Sequence, residues 1–329
     1  MPFSLAAPCD DSCQAVLAAL PPAVQAAFRG VGRAELARVN EIRIVLGRPL
    51  MVTFADGDRF VTRAGLATAP EGALCVDAPM VSAVLETLTH SSVYAVEESM
   101  REGFLTLPGG HRVGLLGTPR LRDGRVDGFR QVVGFNIRIN RPIYGGAARL
   151  WRHLIRPDGR VASTMILSPP GCGKTTLLRD IVRTLSYGDP ARGVRPQRVG
   201  VADERSEIAA CVGGVPQSDL GPRADVIDQC PKRIALRILL RTMGPQVLAT
   251  DEVGHPGDVE AILDAAGAGV SVLCTAHGRS MEELWERPAL RPLLESQLFE
   301  RFVILSRRRG PGTVERVVSG TLAKGEMLS

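Results

Sequence analysis

An α/β fold is what this 329-residue sequence predicts: a core built on a parallel sheet, preceded by an α+β domain. Three observations carry that reading. In the second half, short apolar runs alternate with helix-length segments: Thr164-Met-Ile-Leu167, Val199-Gly-Val-Ala202, Val247-Leu-Ala-Thr250 and Val270-Ser-Val-Leu-Cys274. Runs of that kind are strands buried on both faces and joined by crossover helices. The first half instead carries short alternating strands and turn-rich joints, with Gly145-Gly146 loosening the chain where the pattern changes. Finally, 45% hydrophobic and 23% charged residues are a globular composition with ample material for two cores, which excludes long disorder. The predicted boundaries are therefore an N-terminal α+β domain over 1–145 and the sheet domain over 146–329.

Within the first domain, apolar spacing predicts one helix from about Asp10 to Gln25. Glu41-Ile-Arg-Ile-Val-Leu46 reads as a strand, and 51–62 as a hairpin turning at Asp56-Gly57. A helix follows over about Pro79 to Leu88, and then a hairpin over 103–116. The last strand of the domain lies within Gly134 to Asn140. A short helix near Ala147 to Leu154 leads into the core, and Val303-Ile-Leu305 with Val314 to Val318 forms a closing hairpin around a basic turn.

No apolar run is long and uncharged enough to span a membrane, and residues 1–10 have neither a basic start nor a long apolar stretch. A cytosolic chain is expected. The seven cysteines are scattered with no C-x-x-C pair, so reduced thiols are expected rather than a disulfide scaffold or a zinc site. Net charge is +5, which permits an acidic partner without requiring one, and 4% aromatics leaves few stacking platforms for nucleic acid.

Chemistry enters at Ser168-Pro169-Pro170-Gly171-Cys172-Gly173-Lys174-Thr175-Thr176, between a strand ending at Leu167 and a helix through Leu177, Leu178, Ile181 and Val182. Backbone N–H groups at such a helix start form one concave nest, and the helix dipole adds positive charge there. Gly171 and Gly173 let the backbone wrap phosphates without a clashing Cβ. Lys174 would reach the β/γ oxygens of ATP, Thr175 would offer a hydroxyl to Mg²⁺, and Thr176 would bond the α-phosphate. Ser168 stands where the usual motif begins with glycine. The core is thus expected to be a P-loop NTPase of the RecA/AAA-like kind.

Further polar groups fit the same site. Val247-Leu-Ala-Thr250 runs into Asp251-Glu252, placing Asp251 to hold Mg²⁺ through water and Glu252 to orient the attacking water. Asp203-Glu204-Arg205-Ser206-Glu207 and Thr275-Ala276-His277-Gly278 each follow a strand and project to the same sheet edge. His277 there could bond the γ-phosphate, whereas His90, His111, His153 and His255 read as ordinary structural or surface residues. Arg233, Arg237 and Arg241 share one helix face; with Arg223 they are candidates to reach a phosphate, in this subunit or a neighbour's, although salt bridges on a solvated face explain them too. Arg307-Arg308-Arg309 reads as an exposed turn that an acidic membrane surface could use.

These residues resemble the stage III sporulation protein AA family of endospore-forming bacteria, ATPases similar to the motors of type II and type IV secretion and pilus systems. Four landmarks of the wider group occur in order: the phosphate loop at 168–176, the acidic box at 203–207, the Asp251-Glu252 strand end and the histidine box at 275–278. Glu41-Ile-Arg-Ile, Gly47-Arg-Pro, Gly109-Gly-His-Arg-Val-Gly114 and Asn136-Ile-Arg-Ile139 resemble the narrower family, which also carries the serine seen at 168. The resemblance implies a ring, a hexamer, with ATP at subunit interfaces and the N-terminal domain moving against the core. It also implies a peripheral place on the cytoplasmic side of a mother-cell membrane, docked on an integral membrane platform protein. Secretion motors often lack the Asp of the Asp-Glu pair, which leaves Glu252 first and Glu204 second as the residue handling water. The expected catalytic set is Lys174, Glu252, Glu204 and His277, with Thr175 and Asp251 for the metal. The function expected is a Mg²⁺-dependent, ATP-hydrolysing motor of a secretion-like sporulation assembly. An ATP-driven nucleic-acid motor and a non-hydrolysing ATP-bound scaffold are the alternatives.

Overall fold

The structure is a computed structural model describing residues 11–89, 101, 103–141 and 143–320. Residues 1–10, Cys9 among them, and His90 lie outside the described residues. The chain divides into two compact units, Met1–Arg141 and Pro142–Ser329.

The first unit opens with α1 (Ser12–Ala18), α2 (Pro22–Ala27) and α3 (Arg33–Leu36). The single helix expected here is two, because Pro21 and Pro22 cannot continue a helix but can start one. A seven-stranded antiparallel sheet follows: β1 (Glu41–Val45), β2 (Met51–Phe54), β3 (Gly57–Thr62), β4 (Gly65–Ala67), β5 (Phe104–Leu107), β6 (His111–Arg122) and β7 (Arg125–Arg138), in the order β4-β3-β2-β1-β7-β6-β5. Ile42, Ile44, Val52, Phe135 and Ile137 alternate inward from these strands to meet Val81, Val84 and Leu88 of α4 (Ala78–Thr89) in one core. The β2–β3 turn falls on Ala55-Asp56 and leaves Gly57 paired with Phe54, one residue earlier than expected. The Asp-Gly turn with two positive φ angles is Asp123-Gly124, which joins β6 and β7 into a ribbon longer than the sequence suggests.

In the second unit, α5 (Trp151–Leu154) precedes β8 (Thr164–Ser168), α6 (Lys174–Tyr187), β9 (Val199–Asp203), β10 (Ala224–Asp228), α7 (Lys232–Thr242), β11 (Val247–Thr250) and α8 (Pro256–Gly267). β12 (Ser271–His277), α9 (Met281–Trp285), α10 (Arg291–Glu295), β13 (Arg301–Ser306) and β14 (Thr313–Ser319) complete it. The sheet runs β10-β9-β11-β12-β8-β13-β14, parallel except for β14. One face packs on Leu177, Leu178, Ile181 and Leu185 of α6, the other on Leu236 and Leu239 of α7 and Ile262 of α8. β11 serves both, with Val247 and Ala249 toward α6 and Leu248 toward α7 and α8. β10 was not expected; as an edge strand it mixes polar and apolar residues and stays partly exposed, so no continuous apolar run marks it. The described cysteines form no disulfide with one another, and Cys13, Cys172, Cys211 and Cys274 are buried.

α7 approaches the sheet closely at one point. A Cβ on Gly200 of β9 would stand 2.8 Å from Leu248 Cδ2 and 3.3 Å from Leu239 Cβ. Ala is absorbed by rotation of the Leu248 tip, but a branched side chain pushes the helix off the strand. Gly200→Val is expected to destabilise the protein by about 2 kcal/mol, read as a lower denaturant midpoint with Gly200→Ala falling between.

Candidate nucleotide site

The loop after β8 delivers its residues to one cleft because α6 begins at Lys174. Gly171 (φ +69°) and Gly173 (φ +88°) take left-handed backbone that other residues resist. Pro170, Gly171, Gly173, Lys174, Thr175 and Thr176 line a cleft of about 360 Å³, together with Glu207, Glu252, His277 and Pro311. Ser168 and Cys172 are buried behind it, Ser168 Oγ donating to Pro169 O at 2.8 Å.

Parallel register brings the other groups here. Ser168 pairs with His277 across β8 and β12, and Thr250 pairs with Cys274 across β11 and β12. Asp251-Glu252 therefore emerges beside the histidine. Lys174 Nζ donates to Ser168 O at 3.2 Å and Pro169 O at 3.4 Å, and lies 3.3 Å from His277 Nδ1. An ammonium has only donors, so Nδ1 accepts and the ring proton sits on Nε2. That proton is donated to Glu252 Oε1 at 2.9 Å, and Glu252 Oε2 accepts from Arg205 at 2.7 Å. A relay Lys174–His277–Glu252–Arg205 spans the mouth of the cleft. Burial pushes the Lys174 ammonium below its ordinary pKa, with Glu252 the main opposing charge. Burial also works against the Glu252 carboxylate, but the hydrogen bond from His277 and the Arg205 and Lys174 charges outweigh it and hold Glu252 below the usual range. Glu252 itself sits at φ +37°, rare for a non-glycine residue, and its N–H donates to Thr275 Oγ1 at 2.8 Å. Strain of this kind persists where surrounding contacts over-determine it.

Asp251 is different. It is 0% exposed, and neither carboxylate oxygen has a hydrogen-bond partner. Lys232 Nζ is 3.9 Å away, too long for a hydrogen bond. Burial raises its pKa to about 7; Lys232 opposes that, while Asp203, Glu207 and Glu252 add to it. Among the described residues no group of three or more His, Cys, Asp or Glu is poised to hold a metal. A cation here would thus lean on the Thr175 hydroxyl, phosphate oxygens and water, with Asp251 as the acid, and an orphaned buried carboxylate fits that use.

The acidic box splits by role. Asp203 accepts from the backbone N–H of Glu207, Ile208 and Ala209, so it shapes the turn. Glu204 turns toward α7 and pairs with Lys232 at 2.8 Å, outside the cleft lining, whereas Glu207 lines the cleft. Arg179 of α6 ties the box down through Ile208 O and Glu207 O. Of the four candidate arginines none lines the cleft of its own chain. Arg223 bonds Ser186, Arg237 pairs with Glu260 and Asp264, Arg233 packs on Gly257, and Arg241 lies on the exposed side of α7. Sequence reasoning gave no part to Arg205, whose pairing with Glu252 joins two strand ends with no local pattern to announce it, or to Lys232, a 4%-exposed lysine that reads as one more charge on a basic helix.

Comparison with known proteins agrees with this geometry. A family model described as sporulation stage III, protein AA, matches residues 25–325. Stage III sporulation protein AA of Bacillus subtilis is 39% identical over 298 residues, covering 91% of this chain and 92% of that protein. Among solved structures, the pilus retraction motor PilT with bound ADP has a TM-score of 0.57 at 14% identity, covering 88% of this chain and 83% of that one. The Yersinia pseudotuberculosis ATPase DotB has a TM-score of 0.53 at 15% identity, covering 88% of this chain and 78% of that one. At those identities the likeness is one of fold, the fold of P-loop ATPases. The length and identity of the sporulation match go further: this chain belongs to the stage III sporulation protein AA family.

Proposed function

We propose that the protein is a Mg²⁺-dependent ATPase whose turnover drives domain movement in a membrane-associated, secretion-like sporulation assembly. The observation that carries this reading is the Lys174–His277–Glu252 relay at the mouth of a glycine-built loop on a helix N-terminus. The loop's N–H groups and Lys174 bind and orient the polyphosphate of ATP. Thr175 and Asp251 are the residues that would hold Mg²⁺, which would supply positive charge to offset that of the phosphates. Glu252, kept ionised by His277 and Arg205, is an acceptor able to orient the attacking water. His277 touches both Lys174 and Glu252, so a Lys174 that turns to phosphate removes the partner of Nδ1 and alters the ring that holds Glu252. That is a direct link between phosphate occupancy and the water-orienting group. Glu204 serves this reading as the partner of buried Lys232 rather than as a group in the cleft.

The assembly follows from the family resemblance: a hexameric ring, cytoplasmic and peripheral at a mother-cell membrane, docked on an integral platform protein. Among the described residues no helix is long and apolar enough to cross a membrane.

Steady-state ATP hydrolysis with particle-mass measurement tests the reading. Lys174→Ala is expected to lose nucleotide binding, and Glu252→Gln to keep binding while turnover falls by about a hundredfold or more. Equal hydrolysis by all three proteins overturns the assignment, and full biological function in Glu252→Gln favours the non-hydrolysing scaffold. Glu204→Gln is expected to hydrolyse within roughly threefold of wild type, since its carboxylate faces Lys232.

Asp251→Asn gives an independent check. A neutral amide relieves the burden of an unpartnered buried acid, so the protein without nucleotide is expected to gain about 1 kcal/mol, roughly 3 °C in melting midpoint. The same variant is expected to lose Mg²⁺-dependent hydrolysis. A lower midpoint would show that the carboxylate is a structural requirement instead.

A further inference from the structure

The basic turn between β13 and β14 does not project freely; it lies against the phosphate loop. Gly312 N–H donates to Cys172 O at 2.8 Å, and Pro311 forms part of the cleft wall. A Cβ on Gly173 would stand 3.1 Å from Gly312 N, and one on Gly171 would stand 3.6 Å from Arg307 Nη1. Both loop glycines thus do double duty, taking left-handed backbone and admitting the turn at close range. The three arginines of the turn differ. Arg308 pairs with Glu315 at 3.1 Å, and Arg309 contributes a backbone N–H to Thr313 Oγ1. Arg307 is exposed on the solvent side, and its guanidinium has no hydrogen-bond or carboxylate partner among the described residues.

This arrangement leaves a guanidinium without a partner of its own, among the described residues, beside an anion-binding loop. The loop already concentrates positive potential through Lys174 and the N-terminus of α6. The Arg307 guanidinium, with Nη1 3.6 Å from where a Cβ on Gly171 would stand, adds a like charge; Glu207 and Glu252 line the cleft, but Arg307 pairs with neither. Packing alone would be served as well by an uncharged side chain. A planar guanidinium with five donors is suited to phosphate oxygens.

We propose that Arg307 is a phosphate-binding residue, supplied from within the same chain by the β13–β14 turn, that contacts the polyphosphate held by the loop. The assignment rests on the nucleotide reading of the cleft. It also gives the hairpin a purpose, since its backbone is pinned to Cys172 and carries Arg307 to the loop from outside the α6 helix.

Nucleotide binding to the full chain, followed by calorimetry with MgATP and MgADP, tests it without reference to turnover. Arg307→Gln is expected to weaken both nucleotides about tenfold, Arg307→Lys to recover part of that loss, and Arg308→Gln to bind within about twofold of wild type. Melting midpoints without nucleotide are expected to be the same for all four proteins. Wild-type affinity in Arg307→Gln overturns the proposal while the nucleotide reading stands. Equal losses in Arg307→Gln and Arg308→Gln also overturn it, because they mark a diffuse surface charge. A loss that tracks a lower melting midpoint and is not recovered by lysine assigns Arg307 a structural role instead. No ATP binding by folded wild-type protein overturns the nucleotide reading and this proposal with it.

Discussion

The register of four parallel strands is the constraint on which the rest of the molecule depends. Ser168 stands opposite His277, Thr250 opposite Cys274, and Thr250 again opposite Ala202. These pairings bring the phosphate loop, the histidine, the Asp251-Glu252 end and the acidic box out at one edge within hydrogen-bonding reach. Strand side chains alternate, so a slip of one residue in β11 would turn Asp251 to the other face and carry Val247 and Ala249 out of the α6 core. Burial on both faces makes that slip expensive. The geometry of the cleft is therefore secured by the same apolar contacts that make the sheet stable.

What was legible in the sequence is what lies along a short stretch of chain. The phosphate loop is encoded in nine consecutive residues, and the acids and histidine each follow a buried strand whose apolar run is unmistakable. Less legible were features set by distant partners or by proline and glycine. The helix expected over 10–25 ignored the break at Pro21-Pro22, and the β6–β7 ribbon depended on recognising Asp123-Gly124 rather than Asp56-Gly57 as the turn with two positive φ angles. Edge strand β10 was invisible because its outer side faces solvent. Which glutamate of the acidic box enters the cleft is decided by the turn that Asp203 caps, with Ser206 at φ +53°, and no spacing rule distinguishes Glu204 from Glu207 there. The turn carrying Arg307 reached the loop from more than a hundred residues away in sequence, so it looked like surface.

The partners at the site divide into two kinds. At the mouth, His277, Glu252 and Arg205 are partly or fully exposed, Lys174 is buried, and the four satisfy one another through contacts that a ligand could replace. One layer deeper, Asp203 is locked by three backbone N–H groups, and Lys232 is fixed by Glu204. The first group is built to exchange partners and the second to keep them. Arg205 belongs to both: it holds Glu252 from the acidic box, so a shift of that box is felt at the Glu252 carboxylate.

Asp251 fits neither kind, and that asymmetry is informative. A purely structural strand end gains nothing from a carboxylate that is fully buried, lacks hydrogen bonds and is pushed to a pKa of about 7. A neighbouring lysine, already committed to Glu204, compensates only in part. Free energy is being spent at the point where β11 enters the cleft, in the residue directly before the strained Glu252. Two unfavourable features in consecutive residues, one electrostatic and one conformational, at the carboxyl edge of a parallel sheet are hard to account for by packing. They are what is expected where selection acts on the chemistry of the edge rather than on the stability of the strand.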